Sequence, residues 1–338
     1  MKFKILKSLL FIPILLGIIP LSSCGEIKTN KLTIAEVTHS IFYAPLYVAK
    51  NKGYFKDVGI DIDIITTPGA DKVMASLLSN DSQIGLMGPE ATIYVYQNGQ
   101  ENYAVNFAQL TQKDGSFLLG REKIDNFNYS MLKGKTIIGG RKGGMPEMTL
   151  EYVLKKAGLS ITQNNQDPTA DVNIRTDVSF DATSGVFVAG ESDYVTAFEP
   201  TASQIEKSKK GFIVSSLGQD SGIIPYTCFS STKSYFEKNK DTLIKFTSAI
   251  NKGLDYVNNH TSEELIEYIK PDFTSSDNDE IVSVLNNYKK IEAWPSKLGF
   301  TKDNFNKLVE IVKEAGELDT NLIVPYEKLV TNEILNQI

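Results

Sequence analysis

Leu78-Ser79-Asn80-Asp81-Ser82-Gln83-Ile84-Gly85-Leu86-Met87-Gly88-Pro89-Glu90 and Val188-Ala189-Gly190-Glu191-Ser192-Asp193-Tyr194-Val195-Thr196-Ala197-Phe198-Glu199-Pro200 lie 110 residues apart and follow one pattern. Each reads as a helix end, a tight turn, a short apolar strand, and a new helix start containing Pro and Glu. The repeat is one of pattern, not of identity. It implies two similar α/β lobes within one chain.

Outward from the first copy, Leu32–Val37 and Gly59–Ile64 read as strands, Pro45–Asn51 and Asp71–Leu78 as helices, and Ile84–Met87 as a third strand. The second unit repeats this alternation. Lys135–Ile138 is a strand, Gly139–Gly144 a glycine-rich loop, and Pro146–Ala157 a helix with Pro at its start and Gly158 just past its end. Strands alternating with helices argue for mostly parallel sheets. The extended stretch Phe107–Leu119 leaves the first lobe, and Gly211–Phe229, with Phe212-Ile213-Val214 and Pro225-Tyr226, returns to it. From Thr232 onward amphipathic helices take over, as in the spacing of Leu243, Phe246, Ile250, Leu254 and Val257. The 338 residues exceed what a single core of roughly 250–300 residues accommodates, which also favours two lobes. The expected division is 32–112 with 230–338 for lobe one and 113–229 for lobe two.

The N-terminus is of a different kind. Lys2, Lys4 and Lys7 precede an apolar run from Leu9 to Leu21 that is broken by Pro13, Gly17 and Pro20 and is short for a membrane span. It reads as an export signal over residues 1–23. Leu21-Ser22-Ser23-Cys24 resembles the lipobox of bacterial lipoproteins, which implies a lipid on Cys24, a tether over 24–31, and an extracytoplasmic chain anchored to the cell membrane. Removing residues 1–23 takes three of 35 basic residues and no acid, leaving 32 against 41 and a net charge of −9. Such a balance argues against a nucleic-acid partner. With Cys24 lipidated, Cys228 is the only thiol left, so no internal disulfide is expected.

Parts for catalysis are scarce. The chain has two histidines, and His260 sits in a polar helix end, leaving His39 as a candidate base. No HExxH, no paired Cys and no Gly-x-Ser-x-Gly is present, and no metal or cofactor is expected. Gly139-Gly140-Arg141-Lys142-Gly143-Gly144 lacks the Lys-Ser/Thr of a triphosphate loop and the spacing of the dinucleotide fingerprint. Two readings remain for it. The helix start at Met145, with Arg141 or Lys142 nearby, can hold an anionic or hydrogen-bond-accepting group, or the glycines merely serve a turn. Phe42 and Tyr43, between a strand end and a helix, suit either a planar ligand or packing. Glu90 and Glu199 either favour their own helix N-termini or receive a cationic or N–H group.

Phe42-Tyr43-Ala44-Pro45-Leu46-Tyr47-Val48-Ala49-Lys50-Asn51-Lys52-Gly53-Tyr54-Phe55, followed by Gly59-Ile60-Asp61, resembles the opening of the nitrate/sulfonate/taurine and thiamine-pyrimidine family of ABC solute-binding proteins. Met87-Gly88-Pro89-Glu90, Leu132-Lys133-Gly134-Lys135 leading to Arg141–Glu147, and Phe198-Glu199-Pro200 extend the match over most of residues 32–230. The resemblance implies a two-lobed α/β fold of the type II periplasmic-binding-protein kind. It further implies a monomer that closes on a small solute and delivers it to a membrane permease with its ATPase, without chemistry. The implied cleft residues are His39, Ser40, Phe42, Tyr43, Gly88, Pro89, Glu90, Gln109, Thr111, Arg141, Lys142, Gly143, Gly144, Met145, Glu199 and Tyr226. Arg141 and Lys142 suit a sulfonate, taurine or nitrate-type anion; Phe42, Tyr43, Glu90 and Glu199 suit a thiamine pyrimidine precursor or similar heterocycle, the favoured class. Two alternatives stay open: a sensory lipoprotein, and a pyrimidine-synthase-like enzyme, against which the export signal and the missing Cys-rich motif argue.

Overall fold

The computed structural model describes residues 30–179 and 181–338. The expected signal, Cys24 and most of the tether lie outside the described residues. Asn30 and Lys31, at the end of that tether, already belong to the first strand.

Eleven strands form two sheets among the described residues. They are β1 (Asn30–Glu36), β2 (Ile60–Thr66), β3 (Ile84–Met87), β4 (Ala104–Thr111), β5 (Ser116–Gly120), β6 (Lys135–Ile138), β7 (Ile161–Gln163), β8 (Val172–Arg175), β9 (Tyr194–Phe198), β10 (Phe212–Ser216) and β11 (Thr227–Thr232). The first sheet has the order β2-β1-β3-β11-β4 and the second β10-β5-β9-β6-β8-β7. Read from the opposite edge, the second sheet repeats the first, with β8, β6, β9, β5 and β10 in the places of β2, β1, β3, β11 and β4 and with β7 added outside. Pairings correspond too. The inner strands β1–β2, β1–β3, β6–β8 and β6–β9 are parallel, whereas β11 and β5 run antiparallel to both neighbours. The 110-residue echo is thus a matching pair of central strands, β3 and β9, each followed by a helix, Glu90–Gln97 and Thr201–Lys207.

Burial explains the sequence patterns. All four residues of β3 are buried, as a strand flanked on both sides and covered on both faces requires, so it shows no alternation. β2 is an edge strand whose Asp61 and Asp63 point outward, and such charges discourage further pairing. Gly85 in β3 is dictated by contact: a Cβ there would meet Val73 at 2.8 Å and Leu77 at 2.9 Å on the helix Ala70–Leu78.

The helix Lys240–Asn259 buries Leu243, Phe246, Ile250, Leu254 and Val257 on one stripe and lies against Ala44–Asn51. Its Gly253 sits so close that a Cβ would stand 2.2 Å from the Pro45 carbonyl. Phe246 closes an aromatic cluster with Phe229 at 5.1 Å and Phe55 at 5.4 Å. A fully buried ring of this kind contributes roughly 1.5–3 kcal/mol. The helices do not all keep to lobe one: Lys302–Glu314 packs on Glu90–Gln97 and also on Met145–Lys156 of lobe two. The chain crosses between lobes at 112–115 and again between β10 and β11, which begins at Thr227.

Candidate functional site

The carboxyl ends of β1, β3, β6 and β9 face one another across the space between the lobes, and the segments that follow them form its walls. Two chambers open there. The first has a volume of about 70 Å³ and is lined by Tyr43, Glu90, Arg141, Met145, Phe198 and Tyr226, with Gly88 and Gly144 beside them. The second, of about 250 Å³, is lined among others by His39, Ser40, Asp181, Ser184, Glu199 and Thr201. Val37, Thr38 and Phe198 belong to both, so they form the partition.

Glu90 is the distinctive group of the first chamber. It opens the helix Glu90–Gln97 behind Pro89, is 2% exposed, and its side chain folds back over Gly88 so closely that a Cβ on that glycine would lie 2.0 Å from Oε2. Oε2 has no hydrogen-bond partner. Burial pushes the carboxyl up to about 7, against the opposing pull of its own backbone amide, the Arg141 charge and the Met145 N–H. The start of the helix Met145–Lys156 is therefore faced by a carboxyl from the other lobe.

Glu199 occupies the equivalent junction and has a different fate. It is 1% exposed; Oε1 accepts from the Ser203 hydroxyl (2.7 Å) and Asn287 Nδ2 (2.7 Å), and Oε2 accepts from the Ser203 N–H (2.9 Å). It caps the helix Thr201–Lys207. Its backbone N–H donates to the Tyr288 hydroxyl (3.1 Å), and its carbonyl accepts from Ser40 Oγ (3.1 Å), a bond between lobes.

His39 is held on both ring nitrogens, Nδ1 at 3.0 Å from Glu36 Oε1 and Nε2 at 2.9 Å from the Asp272 carbonyl, and it stacks on Phe273 at 4.5 Å. The Glu36 carboxylate raises its pKa, although partial burial works the other way. Held this way, the ring is a bracket between β1 and the 270–276 turn rather than a poised base.

Phe42 lies buried beneath the chambers, 4.9 Å from Tyr288, 5.8 Å from Phe198 and 6.0 Å from Tyr226, and a Cβ on Gly115 would stand 2.7 Å from its ring. It packs the junction of the two lobes. Arg141 lines the first chamber, but its Nε reaches Asp71 Oδ1 at 3.6 Å, and Lys142 reaches Glu317 at 3.8 Å, away from both chambers. Gly143 donates its N–H to Glu147 Oε2 (3.2 Å) and accepts from the Tyr94 hydroxyl (3.1 Å). Gln109 and Thr111 are buried on β4 with Oε1 and Oγ1 unpartnered, and neither lines a chamber.

Residues 41–264 match the family model described as NMT1/THI5 like. The chain belongs to this family. The match spans both lobes and both crossings, in keeping with the resemblance read from Phe42–Phe55. Among curated proteins, "Putative binding protein YtlA" of Bacillus subtilis (strain 168) is 44% identical over 319 residues, 94% of this chain and 93% of that one. Among solved structures, the alkanesulfonate-binding protein SsuA of Xanthomonas axonopodis pv. citri, bound to MOPS, superposes with a TM-score of 0.69 at 15% identity, covering 89% of this chain and 98% of the other. The periplasmic nitrate-binding protein NrtA of Synechocystis PCC 6803 gives 0.68 at 13% identity, covering 92% and 88%. At such identities the likeness is one of fold, the two-lobed type II periplasmic-binding-protein kind.

In this NMT1/THI5-like chain Asp114, on the first crossing, is a buried acid outside the cleft residues expected from the sequence. It is fully buried, Oδ1 accepts from the Ser116 N–H (2.7 Å) and hydroxyl (2.6 Å), and Oδ2 has no partner. Burial pushes it up to about 6, while those Ser116 bonds hold it down. Asp114-Gly115 carries a turn signal that would have marked the crossing. Phe198 and the hydroxyls of Thr38 and Ser184 also fall outside those expected residues, since nothing in their local sequence separates them from ordinary strand and helix ends. Among the described residues no group of three or more His, Cys, Asp or Glu is placed to hold a metal ion, and no helix is long and apolar enough to cross a membrane.

Proposed function

We propose that this protein is the extracytoplasmic solute-binding component of an ABC-type importer, anchored through lipid on Cys24, and that it captures a small planar nitrogen heterocycle of the thiamine-pyrimidine type without transforming it. The observation that carries this reading is the Glu90 carboxyl, buried with an unpartnered oxygen in a narrow chamber walled by Tyr43, Phe198, Tyr226 and Met145. A flat ring fits between such walls, and a ring nitrogen or amino group answers the free carboxyl oxygen; a hydrogen bond to a charged group contributes about 1.5–3 kcal/mol. An oxyanion would meet a carboxyl at that position, while Arg141 and Lys142 are already paired with Asp71 and Glu317. Closure on the solute follows from contacts with both lobes, which favour the closed state by their differential affinity. The permease and its ATPase are the partners this reading requires, and the working unit is a monomer.

The test is a thermal shift of the chain from residue 25 onward against aminopyrimidine alcohols, riboflavin, taurine, alkanesulfonates and nitrate. A heterocycle at about 100 times its Kd should stabilise by ~2.7 kcal/mol and be recovered unchanged. A shift with taurine, a sulfonate or nitrate alone would overturn the heterocycle and keep the carrier. Conversion of the ligand would overturn the carrier.

A further inference from the structure

We propose that the second chamber is a subsite for the tail of a two-part solute, and that this tail is neutral or cationic, rich in hydrogen-bonding groups, and never phosphorylated or sulfonated. The inference rests on the reading of the first chamber as the seat of a planar heterocyclic head. The two chambers share Val37, Thr38 and Phe198, so one molecule passing that partition occupies both. The second is the larger, at about 250 Å³ against about 70 Å³, and takes its walls from both lobes: Thr38, Ser40, Thr66 and Pro68 from one, Asp181, Ser184 and Thr201 from the other.

The chemistry of the two chambers differs. The head chamber is aromatic with a single acid. The tail chamber is lined by hydroxyl side chains and by the carboxylates of Asp181 and Glu199. Among the described residues no Lys or Arg lines it; Arg141 lines the head chamber and not this one. Its one basic side chain, His39, is held by Glu36 and the Asp272 carbonyl. An anionic tail would meet the carboxylates of Asp181 and Glu199, with Lys72 near Asp181 but outside the lining as the nearest cation, whereas an alcohol or a cationic ring suits the same lining. This excludes many heterocyclic phosphates that the head chamber alone would admit.

Isothermal titration of the lipid-free mature chain with three probes tests the proposal: the aminopyrimidine alcohol that forms the head of thiamine, thiamine itself, and thiamine monophosphate. Thiamine is expected to bind about tenfold tighter than the free head, and the monophosphate about tenfold weaker than thiamine. Ser184→Phe, which fills the tail chamber, should abolish the advantage of thiamine and leave the head within about twofold of its wild-type Kd. Asp181→Lys, at an exposed position that tolerates the change, should shrink or reverse the penalty on the monophosphate. Equal affinities for head and thiamine, or tightest binding by the monophosphate, would overturn the tail subsite while the heterocycle reading stands. Binding of none of the three would bring down both.

Discussion

Glu90 and Glu199 stand at corresponding strand-to-helix junctions of two lobes whose sheets share one topology, and they do opposite things. Glu199 is saturated by Ser203 of its own lobe and by Asn287 on the helix Asn278–Lys290 of lobe one, so it ties the two lobes together. Glu90 keeps an oxygen unpartnered in the cleft at a cost in solvation. A duplicated frame therefore does not duplicate function. The neighbours decide, and a buried carboxyl that stays unsatisfied is where a partner from outside can be recognised.

The contrast can be broken most directly at Glu199. Glu199→Ala removes a helix cap and strands the Ser203 and Asn287 donors, so a loss of about 3 to 4 kcal/mol is expected in denaturant unfolding. Unchanged stability would mean that Glu199 is no more structural than Glu90. At Glu90 the effect should depend on pH. Its native value of about 7 lies above the ordinary 4.5, so its contribution is fully present below about pH 4.5 and is lost as pH rises through about 7. Relative to Glu90→Gln, the wild type should lose about 3 kcal/mol between pH 4.5 and pH 8 in the absence of ligand. Parallel stability curves for the two proteins would show that the carboxyl is solvated after all. Binding gives a somewhat smaller effect: Glu90→Gln should weaken the heterocycle about ten- to a hundred-fold, measured by titration calorimetry, with the fold intact. Arg141→Ala should matter least, under about 0.5 kcal/mol in stability, because its pairing with Asp71 is largely exposed. A large loss of ligand affinity in that variant would restore the anion reading.

How much of this was legible beforehand depends on how local the cause is. Ile84–Met87, Lys135–Ile138 and the helix opened by Pro146 and closed by Gly158 were readable because hydrophobic runs and caps act over a few residues. β7 and β8 escaped because Ile161-Thr162-Gln163 and Val172-Asn173-Ile174-Arg175 are short and half polar. The antiparallel roles of β5 and β11 were hidden as well, since their partners lie far along the chain. The cleft segments after β1, β3, β6 and β9 could be listed from the strand-end rule. Which of their side chains turn inward could not. Arg141 is turned toward Asp71, 70 positions earlier, and Glu199 is satisfied from Asn287, 88 positions later. Only the folded arrangement separates the free carboxyl from the bound one.

The order of strands has a consequence for the chain as it is made. Every strand of the second sheet lies between Ser116 and Ser216, so lobe two is one uninterrupted interval. The first sheet is a parenthesis around it: β1 to β4 come before, and β11, which sits between β3 and β4, comes after. A growing chain can complete the later lobe first, while the earlier one waits with a gap in the middle of its sheet until Thr232 has emerged.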